Sequence, residues 1–412
     1  MKFGLLGEKL GHSFSKTIHN ALADYDYQLI EVKKEDFPAF MTAKDFNAIN
    51  VTIPYKQMVI PYLSYIDPVA EKIGAVNTIV NRNGALYGYN TDFYGMTSLI
   101  KKEGIIVKGK KVAILGTGGT SKTAHAVMES LGASEIYKVS RKTQDNAVTY
   151  QELYEKHSDV EIIVNTTPCG MYPNNYESAI EIDKFNNLEG VIDAIYNPLS
   201  SALIVSAKNR GIKAAGGLYM LVGQAVRASE IFLDTVYSPN TLDEIFNGLL
   251  KQKQNIVLIG MPASGKSTVG KFLAKKLNRN FVDTDEVIVK NANLSIPEIF
   301  KNGGEKAFRD LESIAVKEST KNTCQIIATG GGAVLRKENV DALKQNGKIY
   351  FIDRPLSKLI PTDDRPLSSN KADIEKRYYE RYEIYKSSCD AIIDADCSIE
   401  QVVEKILGDF NK

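Results

Sequence analysis

Apolar runs of a few residues alternate along this chain with longer stretches in which apolar positions recur every three or four residues. Runs this short, separated by segments of helical period, are the pattern of βαβ units, in which buried parallel strands are joined by amphipathic helices. In the first half the pattern predicts strands at 2–6, 27–32, 48–53, 111–115, 135–139, 161–165, 190–195 and 212–215. One stretch breaks the alternation: in "NTIVNRNGALYGYN" two β-rich runs flank Asn83-Gly84, a pair suited to a tight turn that needs positive φ, and a hairpin is expected there. Segment 218–236, "LYMLVGQAVRASEIFLDTV", reads as a helix returning to the first region. The following "SPNTLDEIFNGLLKQKQN" predicts a second helix with Pro239 in its first turn and a short polar linker ending near 254. Five further strands, at 255–259, 280–283, 325–329, 348–352 and 391–394, suffice for an independent parallel sheet. The class is α/β, without internal repeats or low-complexity tracts.

A length of 412 residues calls for more than one core, since domains average roughly 150 residues. The pattern divides the chain into residues 1–250, comprising a substrate-type region (1–102 with 218–247) and a nucleotide-binding region (103–217), and residues 254–412. Lys and Arg number 51 against 50 Asp and Glu, a net charge of +1. No global field steers such a chain to nucleic acid or an anionic membrane, so anionic small molecules must be caught by local groups. The four cysteines form no CxxC pair and have no histidine at zinc spacing, which fits reduced thiols and argues against structural zinc. No apolar run approaches a membrane span, and "MKFGLLGEKLGHS" turns polar at once, so a soluble cytoplasmic protein is expected; its oligomeric state is left open.

Two glycine-rich loops supply candidate phosphate sites. Gly260-Met-Pro-Ala-Ser-Gly265-Lys266-Ser267 satisfies GxxxxGK[ST] between an apolar strand and a helical segment, the context this motif requires. Backbone N–H groups around Ala263, Ser264, Gly265 and Thr268 can cradle phosphates, Lys266 reaches the β/γ oxygens of ATP, and the Ser267 hydroxyl can ligate Mg²⁺. "FVDTDEVI" then brings Asp283 and Asp285 to a strand end, one carboxylate for the metal and its water, the other able to accept a hydroxyl proton; an aspartate helix cap is the structural alternative. Arg309, Arg365 and Arg381 follow, with Gly330 to Gly332 at another strand end. Guanidinium forks suit carboxylate and phosphoryl groups. Together these motifs resemble shikimate kinase over essentially all of 254–412. The resemblance implies a P-loop, nucleoside-monophosphate-kinase-like domain in which Asp283 orders the metal and Asp285 binds the shikimate hydroxyls as candidate base. It also implies that Arg309 and Arg381 clamp the carboxylate, Gly331 approaches the ring through its backbone, and Arg365 reaches the transferring phosphate from a lid. The lid "LSKLIPTDDRPLSS" is short, and "DADCSIEQ" lacks an arginine that many members place near ATP.

The earlier loop, Gly116-x-Gly118-Gly119-Thr120, only approximates the dinucleotide fingerprint. Where a NAD site wants an acid about 20 positions on, this chain has Ser140, Arg141 and Lys142, and charge alone favours the 2′-phosphate of NADP(H). Outside that unit, "GHSFSKTIHN", "INVTIPYKQ", "GAVNT" and "YGYNTDFYG" gather polar groups, of which Lys56 and Asp92 can form a proton relay. In order and motif by motif, the set resembles shikimate dehydrogenase across about 1–250, a substrate domain with a Rossmann-type NADP domain. The resemblance implies Ser13 and Ser15 on the substrate carboxylate, Asn50, Thr52, Asn77, Tyr196 and Gln224 around the ring, Lys56 and Asp92 as the catalytic pair, and Ala194 and Gly217 at the nicotinamide end. Departures from the family are Lys9 and Lys16, where prolines are common, and Thr123, where a small residue is. Both resemblances converge on one molecule. The expectation is a bifunctional enzyme of aromatic amino-acid biosynthesis that takes 3-dehydroshikimate to shikimate and then to shikimate 3-phosphate. A quinate-accepting dehydrogenase joined to another hydroxy-acid kinase, or one half serving as a degenerate regulatory module, stays open at this point.

Overall fold

The apolar runs become strands in three sheets. The computed structural model describes residues 2–11, 14–143, 146–360 and 371–411. The first sheet contains β1 (Phe3–Gly7), β2 (Tyr27–Glu31), β3 (Ala48–Val51), β4 (Tyr65–Ile66), β5 (Thr78–Arg82) and β6 (Ala85–Tyr89), in the order β2-β1-β3-β5-β6-β4. Strands β1, β2 and β3 are parallel, whereas β5 runs antiparallel to both β3 and β6. The β5–β6 hairpin turns on Asn83 (φ 54°) and Gly84 (φ 88°), the left-handed pair that "NG" supplies at low steric cost.

The second sheet contains β7 (Lys111–Leu115), β8 (Glu135–Ser140), β9 (Val148–Thr149), β10 (Ile162–Asn165), β11 (Gly190–Asp193) and β12 (Lys213–Ala215), all paired parallel in the order β12-β11-β10-β7-β8-β9. The chain leaves β7 toward β8 and later returns to β7's other side with β10. The carboxyl ends of β7 and β10 therefore flank the switch point at which an open α/β sheet binds ligands. Helix Leu218–Leu233 then lies against helix Asp92–Lys102. A side chain at Gly95 would sit 2.4 Å from the Met220 carbonyl, so that crossing admits only glycine.

The third sheet, β13 (Asn255–Ile259), β14 (Asn280–Asp283), β15 (Gln325–Ala328), β16 (Gly347–Asp353) and β17 (Ala391–Asp394), is fully parallel in the order β14-β15-β13-β16-β17. Its central strand explains the uninterrupted apolar run: Ile256 and Leu258 pack with Val269, Leu273 and Ile406 on one face, while Val257 and Ile259 pack with Val316, Leu343 and Tyr385 on the other. The first two sheets belong to one compact unit, Met1–Leu249, and the third to a second, Leu250–Lys412.

Two details depart from the sequence reading. The two-residue edge strands β4 and β9 were not expected, being too short to show a period. Pro239 lies outside the helix it was expected to open: Ser238 to Thr241 form a turn, with Thr241 N–H on Ser238 O at 3.0 Å, and the helix is Thr241–Lys253. That helix consumes most of the expected polar linker, since Gln254 N–H still bonds Leu250 O at 2.8 Å and β13 starts at Asn255.

Candidate active sites

In the first unit a cavity of about 180 Å³ is lined by Ser15, Asn50, Thr52, Lys56, Asn77, Asp92, Tyr196 and Gln224, with Thr120, Ala194 and Gly217 at one side. Residues expected from four separate sequence motifs thus meet in one hollow. Lys56 Nζ lies 2.5 Å from Asp92 Oδ2, and both side chains are largely buried. Asp92 is the first residue of its helix, where the unsatisfied N–H groups favour a carboxylate. Asn77 Oδ1 accepts from the N–H of Thr91 at 2.7 Å, fixing the start of that helix. Gln224 projects from helix Leu218–Leu233, and Ser15 opens helix Ser15–Leu22. Ser13 lies outside the described residues.

A second cavity, of about 970 Å³, adjoins the switch point and is lined by Gly116, Gly118, Ser140, Arg141, Lys142, Thr166 and Thr167 among others. Gly119 is the first residue of helix Gly119–Ser130, whose N-terminus faces the loop as anion binding requires. Arg141 and Lys142 are exposed at the end of β8, and among the described residues no carboxylate forms an ion pair with either. This donor set fits a dinucleotide carrying a 2′-phosphate. The cavity wall is stiffened by Asp193, which the sequence reading passed over. Its carboxylate accepts from Asn165 Nδ2 and Ile195 N–H at 3.0 Å and from Ser201 Oγ at 2.5 Å, and burial pushes it up to about 6. Asn165 in turn accepts from Thr167 Oγ1 at 2.7 Å, linking Asp193 to the cofactor side.

In the second unit the loop after β13 holds Ala263 at φ 62°, a left-handed value unusual for a residue other than glycine, and Gly265 at φ 91° before helix Lys266–Leu277. Lys266 is buried and its ammonium donates to Gly260 O at 2.9 Å and Met261 O at 2.8 Å. Ser267 Oγ donates to Asp283 Oδ2 at 2.6 Å, so the hydroxyl and carboxylate expected at a magnesium ion are already adjacent. Asp283 also caps helix Thr284–Ala292 by accepting from Asp285 N–H at 3.0 Å, which is the structural alternative weighed for it, and its other oxygen is the one facing Ser267. Thr268 stands in the first turn of the loop helix, and Ser264, within the loop, is buried. The arrangement fits ATP phosphates with Mg²⁺.

Beside that loop, three consecutive glycines let three functional elements close on one another. A Cβ at Gly330 would be 2.5 Å from Asp285 Oδ1, at Gly331 2.7 Å from Pro262 Cδ, and at Gly332 1.9 Å from Arg309 Nη1. Arg381 donates to Gly331 O at 3.2 Å, and Tyr385, fully buried, donates to the same carbonyl at 2.5 Å. Asp285, Gly331, Arg309 and Arg381 therefore surround one spot. Arg309 is held by Glu312 at 2.7 Å and Glu305 at 3.0 Å. Glu312, absent from the sequence reading, is completely buried, and burial raises its pKa against the pull of Arg309. Its spacing of three from Arg309 was the available signal, but in sequence it reads as a surface helix charge. Arg365, with the rest of its lid from residue 361 on, lies outside the described residues.

The shikimate dehydrogenase substrate binding domain family matches residues 5–79, and the shikimate kinase family matches residues 262–411. Over 247 residues the chain is 40% identical to the shikimate dehydrogenase (NADP(+)) of Clostridium beijerinckii, covering 56% of this chain and 91% of that protein. The crystal structure of shikimate dehydrogenase 1 from Peptoclostridium difficile is 40% identical with a TM-score of 0.56, covering 60% and 97% of the two chains. Shikimate 5-dehydrogenase of Thermus thermophilus in complex with NADP(H) and shikimate is 26% identical with a TM-score of 0.54, covering 60% and 99%.

Proposed function

Since the chain belongs to the shikimate dehydrogenase family and carries a shikimate kinase domain behind it, an enzyme whose cofactors are NADP(H), ATP and Mg²⁺, we propose that it performs two consecutive steps of aromatic amino-acid biosynthesis. The first reduces 3-dehydroshikimate to shikimate, and the second phosphorylates the 3-hydroxyl of shikimate. The observation carrying this reading is the pairing of two separate constellations, a cavity lined by Lys56 and Asp92, and Asp285 gathered with two buried arginines around Gly330 to Gly332, each suited to a hydroxylated ring bearing a carboxylate.

In this reading residues 1–250 form the dehydrogenase, with 1–102 and 218–247 as substrate region and 103–217 as NADP region, and 254–412 form the kinase. NADPH supplies the hydride when bound, held by the loop at Gly116–Thr120 and by Ser140, Arg141 and Lys142. Ser13 and Ser15 receive the substrate carboxylate, while Thr52, Asn77, Tyr196 and Gln224 orient the ring with Asn50 behind them. As the carbonyl carbon becomes tetrahedral, its oxygen takes a proton from the Lys56 ammonium, whose charge Asp92 stabilises across 2.5 Å.

In the second unit ATP with Mg²⁺ supplies the phosphoryl group when bound, with Ser267 and Asp283 for the metal and Lys266 for the phosphates. Arg309 and Arg381 clamp the shikimate carboxylate, and Asp285 accepts the proton of the attacking hydroxyl. Arg365 completes the set from the lid. Small molecules are the partners of such an enzyme, with no nucleic acid and no membrane, and its setting is the cytoplasm; among the described residues no helix is long and apolar enough to cross a membrane.

Assays on two variants test the division. Lys56→Ala should abolish NADPH oxidation with 3-dehydroshikimate and leave ADP release with shikimate unchanged, and Lys266→Ala should do the reverse. Loss of both activities from either change would contradict two independent sites.

A further inference from the structure

We propose that Tyr27 is a positioning residue for the dehydrogenase site, acting through a buried hydrogen-bond chain that ends at the residue before Asp92. Tyr27 is fully buried in β2, and its hydroxyl donates to Asn50 Oδ1 at 2.7 Å. Asn50 Nδ2 donates to Thr78 Oγ1 at 3.1 Å and lies 3.4 Å from Asn77 O. Both ends of the Asn50 amide are thus engaged by protein, and this amide serves as a link in the wall of the substrate cavity. With its oxygen receiving the Asn50 N–H, Thr78 has one proton to give, and Asn77 Oδ1 lies 3.1 Å away. Asn77 Oδ1 also receives the Thr91 N–H at 2.7 Å and the Thr91 hydroxyl at 3.2 Å. A carbonyl collecting these donors has its orientation fixed, which turns the amide N–H₂ of Asn77 toward the cavity that it lines. Thr91 in turn sets the first turn of helix Asp92–Lys102, and with it the carboxylate facing Lys56.

The head of the chain is itself clamped. The Tyr27 ring stacks on His19 with centroids 3.9 Å apart and planes 6° apart. His19 Nδ1 lies 2.5 Å from Tyr25 Oη, which donates to Ser229 Oγ at 3.0 Å on the helix that carries Gln224. One aromatic stack therefore references both the Asp92 helix and the Gln224 helix. Neither Tyr27 nor Thr78 lines the cavity, so whatever they contribute to turnover passes through Asn77 and Asp92.

The inference rests on the dehydrogenase reading of the site. Tyr27→Phe keeps the ring and the stack and removes only the hydroxyl. Its expected effect is a fall of about tenfold in kcat for 3-dehydroshikimate reduction, with KM for NADPH and the kinase activity of the same chain unchanged. Thr78→Val, which cuts the chain at its middle and stands in should the Tyr27 variant fold poorly, should give the same loss, and Thr78→Ser, which keeps the hydroxyl, should restore kcat. The double variant Tyr27→Phe/Thr78→Val should be no slower than the worse single one, because a chain cut once carries nothing further. A lowered melting temperature with kcat and KM within about twofold of the parent would assign Tyr27 to stability alone and overturn the proposal. Multiplying losses in the double variant, or a Thr78→Ser enzyme as slow as Thr78→Val, would also overturn it. A parent chain that reduces no 3-dehydroshikimate would instead overturn the underlying reading of the site.

Discussion

Replacing Gly332 by alanine tests the proposed carboxylate clamp of the second unit. Gly332 has φ −105° and ψ −3°, values open to any residue, so the backbone itself is not strained by a side chain. The methyl group, however, would lie 1.9 Å from Arg309 Nη1 and 2.4 Å from its Cζ, where real Cβ contacts essentially never fall under 3.0 Å. The guanidinium must therefore retreat by about 1 Å or more, and a misplacement of that size costs about 100-fold in rate, or about 2.7 kcal/mol. Arg309 has no easy retreat, being 7% exposed and fixed by Glu312 at 2.7 Å. ADP release measured against shikimate concentration should show kcat/KM lowered by about 100-fold, with 3-dehydroshikimate reduction by the same preparation unchanged. Gly408→Ala is the matched control. Its Cβ enters open space on helix Ile399–Phe410, so it should leave kinase kinetics alone and stabilise the fold by about 0.5–1 kcal/mol. A Gly332→Ala enzyme with kcat/KM for shikimate within about threefold of the parent would refute the placement of Arg309 at the substrate.

If charge at the end of β8 sets the nucleotide preference, Arg141→Asp should lower the ratio of kcat/KM for NADPH over NADH by about 100-fold, and an unchanged ratio would remove Arg141 from the 2′-phosphate site. Asp193 gives a pH prediction whose sign follows from burial raising its pKa to about 6, above the 3.8 of an ordinary aspartate. The unfolded chain loses this proton first as pH rises, so the stability it contributes is full below about 4 and is lost through about 6, a change of about 3 kcal/mol. Asp193→Asn keeps the acceptor for Ile195 and Asn165 and can donate to Ser201. Chemical denaturation should therefore show the parent losing stability relative to this variant between about pH 4 and pH 7, and parallel curves would contradict the buried ionisation.

The central strands of the sheets were legible because they are buried on both faces and read as unbroken apolar runs, as in Ile256 to Ile259. The hairpin was legible because Asn83-Gly84 states its own dihedral angles. Two-residue strands carry no period, and Pro239 satisfied the rule for a helix start two residues before the observed one. Among candidate site residues, those in motifs were legible: Lys56, Asp92, Asp283, Asp285, Lys266. Those that act by burial were not. Glu312, Asp193 and Thr78 look in sequence like an exposed helix charge, a strand end and a β-branched filler, and only the packing around them turns each into a determinant of geometry. Likewise "GGG" announced a strand end, but which three groups approach the three missing side chains depends on Asp285, Pro262 and Arg309, contributed by distant segments.

Whether one chain carries a ring through both reactions is decided by a coupled assay. Purified protein would be given 3-dehydroshikimate, NADPH, ATP and Mg²⁺, and NADP⁺, ADP and shikimate 3-phosphate would be quantified together. All three should form in equal amounts at completion, with no ADP released until NADPH is also present. Oxidation of NADPH that leaves shikimate unphosphorylated, or phosphorylation without any reduction, would contradict it.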